Sequence, residues 1–431
     1  MLEHVAIMFP LPFLARSMGL LSSKAISNTN SKGRRIWEGI LSRLAIYREE
    51  VLLNLATLCF FLTIHSVAPY ISQYAVELGA TEAMIALLGP FFAASAMSFR
   101  LVSGILADRG WTQSLLASGA AISAIAQALY FISTNMETLY VGRFVQGVAV
   151  AIFIPASFQA AAIGNRERVI SSLAWRNTVV GISFAVGPAL GGYISQHLGY
   201  RALFAYSIAL GAISAIFVLF IRDNRFARNV EREEKQQSNG AWFLSGNFLA
   251  ALTSLLLYSS SYMCLTLFLP AYHKQAGLGV SIIAIYFTLM AGFNLLSRLT
   301  FRYMLKILSI EGTAMLGIAL VSIGYLAISL DPLSTSIIYY GIPAGIGAGL
   351  AIPSLQVIAI TGIPQGRRGL ASAIYTAMFD LGNLVGPVIA SALTNTYRDM
   401  ISVGGYLTIA SAAPIAMITA RGTLIGRSLR Q

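Results

Sequence analysis

The sequence predicts an all-helical polytopic membrane protein, with twelve transmembrane helices in two pseudo-symmetric six-helix halves. Three observations support this fold class. Hydrophobic residues make up 56% of the chain and charged residues only 11%, whereas soluble domains carry roughly 25% charged residues. Apolar stretches recur throughout the chain, each close to the roughly 20 residues that cross a bilayer. A proline-containing block also occurs twice, about 200 residues apart.

The apolar stretches define the predicted spans in chain order. They cover approximately residues 51–75, 82–103, 114–133, 138–163, 169–196, 201–221, 241–271, 281–305, 312–330, 335–362, 369–396 and 401–420. Six of them fall before the only long polar insertion and six after it. The expected organisation is an extension 1–50, a half 51–221, a linker 222–240, a half 241–421 and a tail 422–431. Within the extension, residues 33–50 predict an amphipathic basic helix along the membrane interface.

Basic residues are distributed unevenly between the two sides of these spans. An even number of spans puts both termini on one side, which gathers the arginines of the extension, the linker and the tail. The opposite loops hold little beyond Arg201, Lys274 and Arg398. Such asymmetry is typical of cytoplasmic loops, so we expect cytoplasmic termini and a plasma-membrane location. The net charge of +12 is then a topology signal that also attracts anionic lipid, and it does not indicate nucleic-acid binding.

Residues that could carry covalent or metal chemistry are sparse. Cys59 and Cys264 both fall inside apolar spans, which favours small core residues over a disulfide or a metal site. No loop carries a zinc-protease, phosphate-binding or nucleophile–histidine–acid pattern. The sequence therefore predicts a monomeric non-enzyme without metal or cofactor, whose partners are the lipid bilayer and a small-molecule solute.

The repeated block places glycine and proline at matching points of the two halves. The first copy contains Gly181, Gly187-Pro188 and Gly191-Gly192, and the second contains Gly386-Pro387 followed by Ala390-Ser391. Proline removes a backbone donor and is expected to bend its helix. The flanking glycines would leave a groove for a neighbouring helix. A kink without functional meaning is the alternative.

Between the second and third spans stands a short turn motif, Gly104-Ile-Leu-Ala-Asp108-Arg109. Gly104 is expected to let two helices approach closely. The Asp108 carboxylate could meet a helix N-terminus or a basic residue. In the second half, Arg302 and Lys306 align with Gly104 and Asp108, so only one copy keeps the motif. A plain structural turn is the alternative.

Together with Arg143-Phe-Val-Gln146-Gly147 at the head of the fourth span, these motifs resemble the major facilitator superfamily, in particular its twelve-helix drug–proton antiporter branch. The resemblance implies a central cavity lined by spans 1, 4, 5, 7, 8, 10 and 11. It implies that Gly104, Asp108 and Arg109 form a latch between the halves and that the Gly-Pro block forms a pliant seam. It also implies a role for Arg143 in proton coupling, with the proton gradient as energy source.

Charge is costly inside a membrane, so a functional role is the default expectation for an ionisable residue there, and four residues within the predicted spans are candidates. They are His65, Arg143, Arg176 and Asp380. Asp380 is expected near the bilayer centre, where a carboxylate without a pairing cation would be costly, and Arg176 is expected to extend toward the interface. The titratable candidates for proton coupling are Asp380 and His65, beside Arg143. For His65 a plain hydrogen bond to a hydroxyl or backbone group is the alternative.

Further polar residues on these spans are candidates for lining the cavity: Gln146, Gln159, Tyr262, Asn294, Gln356 and Asn383. The function predicted is proton-coupled efflux of a small amphiphilic solute or drug by alternating access. A proton symporter or facilitator for a sugar or metabolite is the alternative within transport. A membrane sensor that keeps the fold without turnover is the alternative outside it.

Overall fold

The computed structural model describes residues 31–161, 166–221, 242–361, 363 and 368–428, and these residues form helices and short connections without a strand. The predicted linker 222–240 and the first 30 residues lie outside this part. In chain order, the helices are α1 Ser31–His65, α2 Ile71–Glu77, α3 Glu82–Ala86, α4 Leu88–Leu106, α5 Thr112–Ile132, α6 Met136–Ala161, α7 Arg166–Leu219, α8 Gly246–Gln275, α9 Val280–Met304, α10 Ile310–Leu330, α11 Ile337–Ile360, α12 Arg368–Leu393, α13 Tyr397–Ala410 and α14 Ala413–Ser428.

Ten helical stretches of the described part are long and apolar enough to cross a membrane. One of them, Ser171–Leu219 within α7, is 49 residues long. Its backbone leaves the helical region at Gly199, where φ is 84°, a conformation that glycine adopts without steric cost. Large apolar side chains such as Leu219, Leu299 and Leu330 are exposed on the outer surface, as expected where lipid replaces water. The all-helical membrane fold is thereby confirmed.

The predicted interfacial helix over residues 33–50 is not a separate element. Residues 31–65 form one uninterrupted helix, so the extension continues directly into the first span. The physical reason is that no proline interrupts this stretch. The helix ends before Pro69, whose ring disfavours helical geometry at the preceding residue, and a turn leads into α2.

The helices pack in a pattern that places a cavity at the centre. We call residues 31–221 the N-terminal segment and residues 242–428 the C-terminal segment. Within the first, α1 packs on α7 and α4 on α6, and within the second, α8 packs on α12 and α9 on α11. The two segments meet where α7 packs against α9, α4 against α12, and α2 against α8.

At one end of the bundle, which we call the Glu77 end, polar contacts join the two segments. Lys274 Nζ donates to Glu77 Oε1 at 2.6 Å. Ser281 Oγ donates to Gln196 Oε1 at 2.9 Å. Because both contacts lie at helix ends and link one segment to the other, they hold this end of the bundle together.

Neutralising Glu77 is expected to change stability little. Its side chain is 43% exposed and that of Lys274 is 29% exposed, and exposed ion pairs contribute about 0–1 kcal/mol. Glu77→Gln should lower the free energy of unfolding by less than about 1 kcal/mol, and the loss should shrink at high salt. Thermal unfolding in detergent at two salt concentrations measures this. A larger, salt-insensitive loss would show that solvent does not screen the pair.

Candidate functional site

A cavity of about 360 Å³ lies between the two segments and is lined by both. Side chains four residues apart repeat one face of a helix, and the bordering helices use that spacing. On α9 the lining stripe is Met290, Asn294 and Arg298, and on α8 it includes Tyr258 and Tyr262. The lining therefore comes from the inward faces of several helices and not from loops.

Aromatic and apolar side chains form most of the cavity wall. Phe92, Phe184 and Phe379 approach it from α4, α7 and α12. Between them stand a few polar groups, among them Asn177 and Asn383. An apolar wall with few polar groups is typical of sites for small organic molecules.

Arg143 enters the cavity from α6 and is held by neutral acceptors. Its Nε donates to the Leu88 carbonyl oxygen at 3.1 Å, and its Nη1 donates to Gln146 Oε1 at 2.8 Å. The Tyr130 hydroxyl donates to the same Gln146 oxygen at 2.9 Å. The guanidinium also lies 4.9 Å from the centre of the Phe92 ring. Gln146 thus orients Arg143 from behind and does not itself line the cavity.

His65 lines the cavity from the last turn of α1. Its Nδ1 lies 3.0 Å from Ser183 Oγ on α7, and its ring packs against Phe61 and Phe184. The hydroxyl contact that the sequence left open as the plain alternative is therefore present. Nε2 has no hydrogen bond to a described residue, so this ring nitrogen can exchange a proton with a group in the cavity.

Asp380 is paired with a cation, an arrangement that the sequence left open. Asp380 Oδ2 on α12 lies 2.5 Å from Arg100 Nη1 on α4, with the two side chains 7% and 23% exposed. The two groups form an ion pair. A buried carboxylate needs a nearby cation, and the pair joins the N-terminal to the C-terminal segment. Asp380 stands just behind the cavity, since its neighbours Phe379 and Asn383 line it.

Arg176 does not extend toward the interface as expected. It is only 3% exposed, and its Nε and Nη2 both donate to Ser157 Oγ, at 3.0 Å and 2.8 Å. Its guanidinium carbon lies 3.6 Å from the centre of the Phe158 ring. The Phe158 ring and the Ser157 hydroxyl therefore stabilise the guanidinium inside the protein, so it does not need to reach the membrane interface.

The glycines of the first Gly-Pro block lie in helix contacts. An added Cβ at Gly187 would come within 2.8 Å of His65 Cβ, and one at Gly191 would collide with the Ser66 carbonyl oxygen. Gly181 and Gly192 face α9 instead. The expected groove is thus present on two sides of α7. The backbone stays helical through Pro188, and the Tyr70 hydroxyl donates to the Pro188 carbonyl at 2.5 Å.

The second block makes a comparable contact within the C-terminal segment. An added Cβ at Gly386 would collide with the backbone of Ser260 on α8. Pro387 lies inside α12 without interrupting it. Both Gly-Pro blocks therefore mark a close helix approach, of α7 to α1 and of α12 to α8.

The turn motif differs from the expectation at Gly104. Nothing lies within 4 Å of an added Cβ at Gly104, so this residue does not serve close helix approach. The turn is instead a short π-helical stretch, Ala107–Trp111, in which Gly110 has φ 91°. Glycine is needed there for its positive φ. Arg109 is exposed, and the side chain of Asp108 lies outside the described residues.

The polar candidates divide into two groups. Tyr262, Asn294 and Asn383 line the cavity as predicted. Gln159 is half-buried, Gln356 is exposed, and neither lines it. Arg298 also lines the cavity and was not among the predicted residues. It lies one helical turn beyond Asn294 on the same face of α9, and this four-residue spacing is the signal that could have indicated it.

The described residues include no group of three histidine, cysteine, aspartate or glutamate side chains that could hold a metal ion. The fold and the cavity define a polytopic helical bundle with a largely apolar cavity between its two segments. The family profile described as the Major Facilitator Superfamily matches residues 53–387 and 311–420. The chain belongs to this superfamily of membrane transporters, and the resemblance of its motifs is thereby confirmed.

Individual relatives are distant. An uncharacterized MFS-type transporter of Methanocaldococcus jannaschii is 24% identical over 350 residues, which span 78% of this chain and 88% of that protein. The quinolone resistance protein NorA of Staphylococcus aureus is 23% identical over 356 residues, spanning 78% and 87%. A crystal structure of the nucleoside transporter NupG matches with a TM-score of 0.65 at 17% identity, covering 86% of this chain and 98% of that one.

Proposed function

We propose that this transporter exports small amphiphilic solutes across the plasma membrane in exchange for protons, by alternating access. The observation that supports this proposal most directly is the Arg100–Asp380 pair, which joins the two segments behind the cavity that they share. A solute bound in the cavity touches both segments. A titratable ion pair between the same segments can therefore link their relative position to protonation.

The proposal includes twelve membrane helices in two six-helix halves, 51–221 and 241–421. The break at Gly199 divides α7 into two spans, and α1 with α2 supplies another. The packing pattern also repeats, because α1 on α7 corresponds to α8 on α12, and α4 on α6 corresponds to α9 on α11. Both termini would be cytoplasmic, as the distribution of arginines indicates.

The coupling step is electrostatic. With Asp380 ionised, its attraction to Arg100 favours the arrangement in which α4 and α12 are close. Protonation removes the negative charge, so this contact loses its electrostatic stabilisation and the segments can separate. His65 and Arg143 line the cavity on the N-terminal side, where His65 can exchange protons and Arg143 supplies a fixed positive charge.

The close contacts of α7 with α1 and α9 would form the seam on which the segments move. Asp108 and Arg109 stay candidates for a latch at the turn after α4, but Gly104 has no packing role there. Export is favoured over import by the likeness to a quinolone resistance protein over 78% of the chain.

Solute flux in proteoliposomes tests the proposal. Norfloxacin, a quinolone, is offered outside vesicles whose lumen is acidic, alkaline or at equal pH. For one proton per solute, a gradient of one pH unit supports up to about tenfold accumulation. Molecules whose cytoplasmic face points outward from the vesicle carry out this export into the lumen. For antiport by these molecules, we expect norfloxacin to accumulate only when the lumen is acidic, and a proton ionophore should abolish the accumulation. Accumulation with the opposite gradient would indicate symport.

Two other outcomes would identify the remaining alternatives. Counterflow that needs no gradient would indicate a facilitator. Binding without flux, under every gradient and with further solutes, would indicate a sensor. Empty liposomes and vesicles with the heat-inactivated protein serve as controls.

A further inference from the structure

The cavity carries positive charge that no lining carboxylate balances. Its lining in the described part of the chain includes Arg143 and Arg298 but no aspartate or glutamate. Asp380, the nearest acidic residue on a lining helix, already contacts Arg100. The charged side chains that line the cavity in the described part of the chain are therefore all positive.

Neither lining guanidinium forms an ion pair with a carboxylate of the described residues. Among the described residues Arg143 contacts neutral partners, the Leu88 carbonyl, the Gln146 side chain and the Tyr130 hydroxyl. Arg298 has no hydrogen bond or ion pair with a described residue. Arg176, close behind Asn177, adds a third positive charge held by Ser157 and Asn177. Ionisable groups inside a membrane protein are functional candidates by default, and two guanidiniums without a described carboxylate partner suit an anionic ligand.

The two arginines belong to different segments. Arg143 lies on α6 of the N-terminal segment and Arg298 on α9 of the C-terminal segment, and both border the same cavity. A guanidinium presents a planar fork of N–H donors that matches a carboxylate. An anion bound here would contact both segments at once, which is the property that a transported solute needs.

The rest of the wall selects the body of such an anion. Phe92, Phe184, Tyr262 and Phe379 present aromatic surface to the cavity, which favours a flat apolar or aromatic group. A cationic solute would meet two like charges without an opposing one, at an electrostatic cost in this partly dry site.

We propose that the cavity binds small organic anions, with a carboxylate held by Arg143 and Arg298 and an aromatic or apolar body against the phenylalanine and tyrosine rings. This rests on the proposed function for the identification of the cavity as the solute site, and it adds the charge of the solute.

Binding of three matched probes tests the proposal. The purified full-length protein in nanodiscs is titrated calorimetrically with 2-naphthoate, 2-naphthamide and 2-(aminomethyl)naphthalene, which are anionic, neutral and cationic at neutral pH. We expect 2-naphthoate to bind at least about tenfold more tightly than the amide, because one charge-assisted hydrogen bond is worth that much. The amine should bind most weakly.

A pair of variants on the same helix locates the effect. Arg298→Gln should lower the affinity for 2-naphthoate about tenfold and leave that for the amide unchanged, and Arg298→Lys should recover part of it. Arg302→Gln is the matched control, because Arg302 lies one turn further along α9 and is exposed like Arg298, but does not line the cavity. It should leave both affinities unchanged.

The proposal is overturned if the amine binds as tightly as 2-naphthoate, or if 2-naphthoate does not bind at about millimolar concentration. Equal losses for the acid and the amide in Arg298→Gln would also overturn it. Should that variant fail to fold, the ranking of probes on the unsubstituted protein decides. Binding needs neither a gradient nor turnover. If the protein prefers the anionic probe but transports no solute, the proposed transport function is refuted and the proposed anion site is not.

Discussion

Replacing Asp380 by asparagine is expected to abolish the dependence of solute flux on the pH gradient, so that the accumulation ratio falls to about one. Asparagine keeps the size of the side chain but cannot take up or release a proton. The contact of α12 with Arg100 would then have one electrostatic state instead of two. Flux of norfloxacin in proteoliposomes with and without a gradient measures the change, and gradient-independent counterflow should persist.

Two further variants make this result specific. Asp331→Asn removes an exposed carboxylate outside the cavity and should leave coupling unchanged. Asp380→Asn also leaves Arg100 without its counter-ion, at a cost in stability, and the double variant Arg100→Gln/Asp380→Asn should recover part of that loss. If Asp380→Asn couples normally to the gradient, the carboxylate has no part in the mechanism.

Replacing Gly191 by alanine is expected to have the largest effect on folding. A single added Cβ would collide with the Ser66 carbonyl oxygen and come within 2.8 Å of the Tyr70 ring, so α7 and α1 must separate. Overpacking of this kind costs about 1–3 kcal/mol, and more where backbone must move. We expect a loss of about 3 kcal/mol or more in the free energy of unfolding. The reaction of buried Cys264 with a thiol-reactive fluorophore during heating reports unfolding.

Gly104→Ala is the matched control for this prediction. An added Cβ at Gly104 meets nothing within 4 Å, and alanine is favoured over glycine inside a helix by about 1 kcal/mol. Gly104→Ala should therefore unfold at an equal or higher temperature. Equal effects of the two substitutions would show that α7 and α1 are not in tight contact.

Composition and the internal repeat predicted the all-helical membrane fold. The sequence did not predict which side chains from different helices contact each other. The first Gly-Pro block predicted close helix approach, and Gly191 lies in such a contact, whereas the comparable contact at Gly386 was not predicted. For Gly104 the same reasoning failed, because a glycine in an apolar stretch does not reveal which side of its helix has a neighbour. Gly110, with its positive φ, is the glycine that this turn requires.

The site was predicted in part, for a related reason. Burial and charge singled out Asp380, but not the contact with Arg100, since the two residues are far apart in the chain and no local pattern links them. Arg298 lay near the end of a predicted span, where a basic side chain ordinarily reaches water. Arg298 lines the cavity because of the rotation of α9 about its axis. Asn294 lies on the same face of α9, but the sequence does not show that this face points toward the cavity.

Alternating access is the central claim, and distances at the two ends of the bundle test it most directly. Spin labels on a cysteine-free background are placed at Thr81 and Gln275 near the Glu77 end, and at Ser114 and Lys306 near the opposite end, all of which are exposed. Electron-spin distance measurements at high and low pH should show one distance lengthening while the other shortens. Two distances that stay constant, or that change in the same direction, would contradict alternating access.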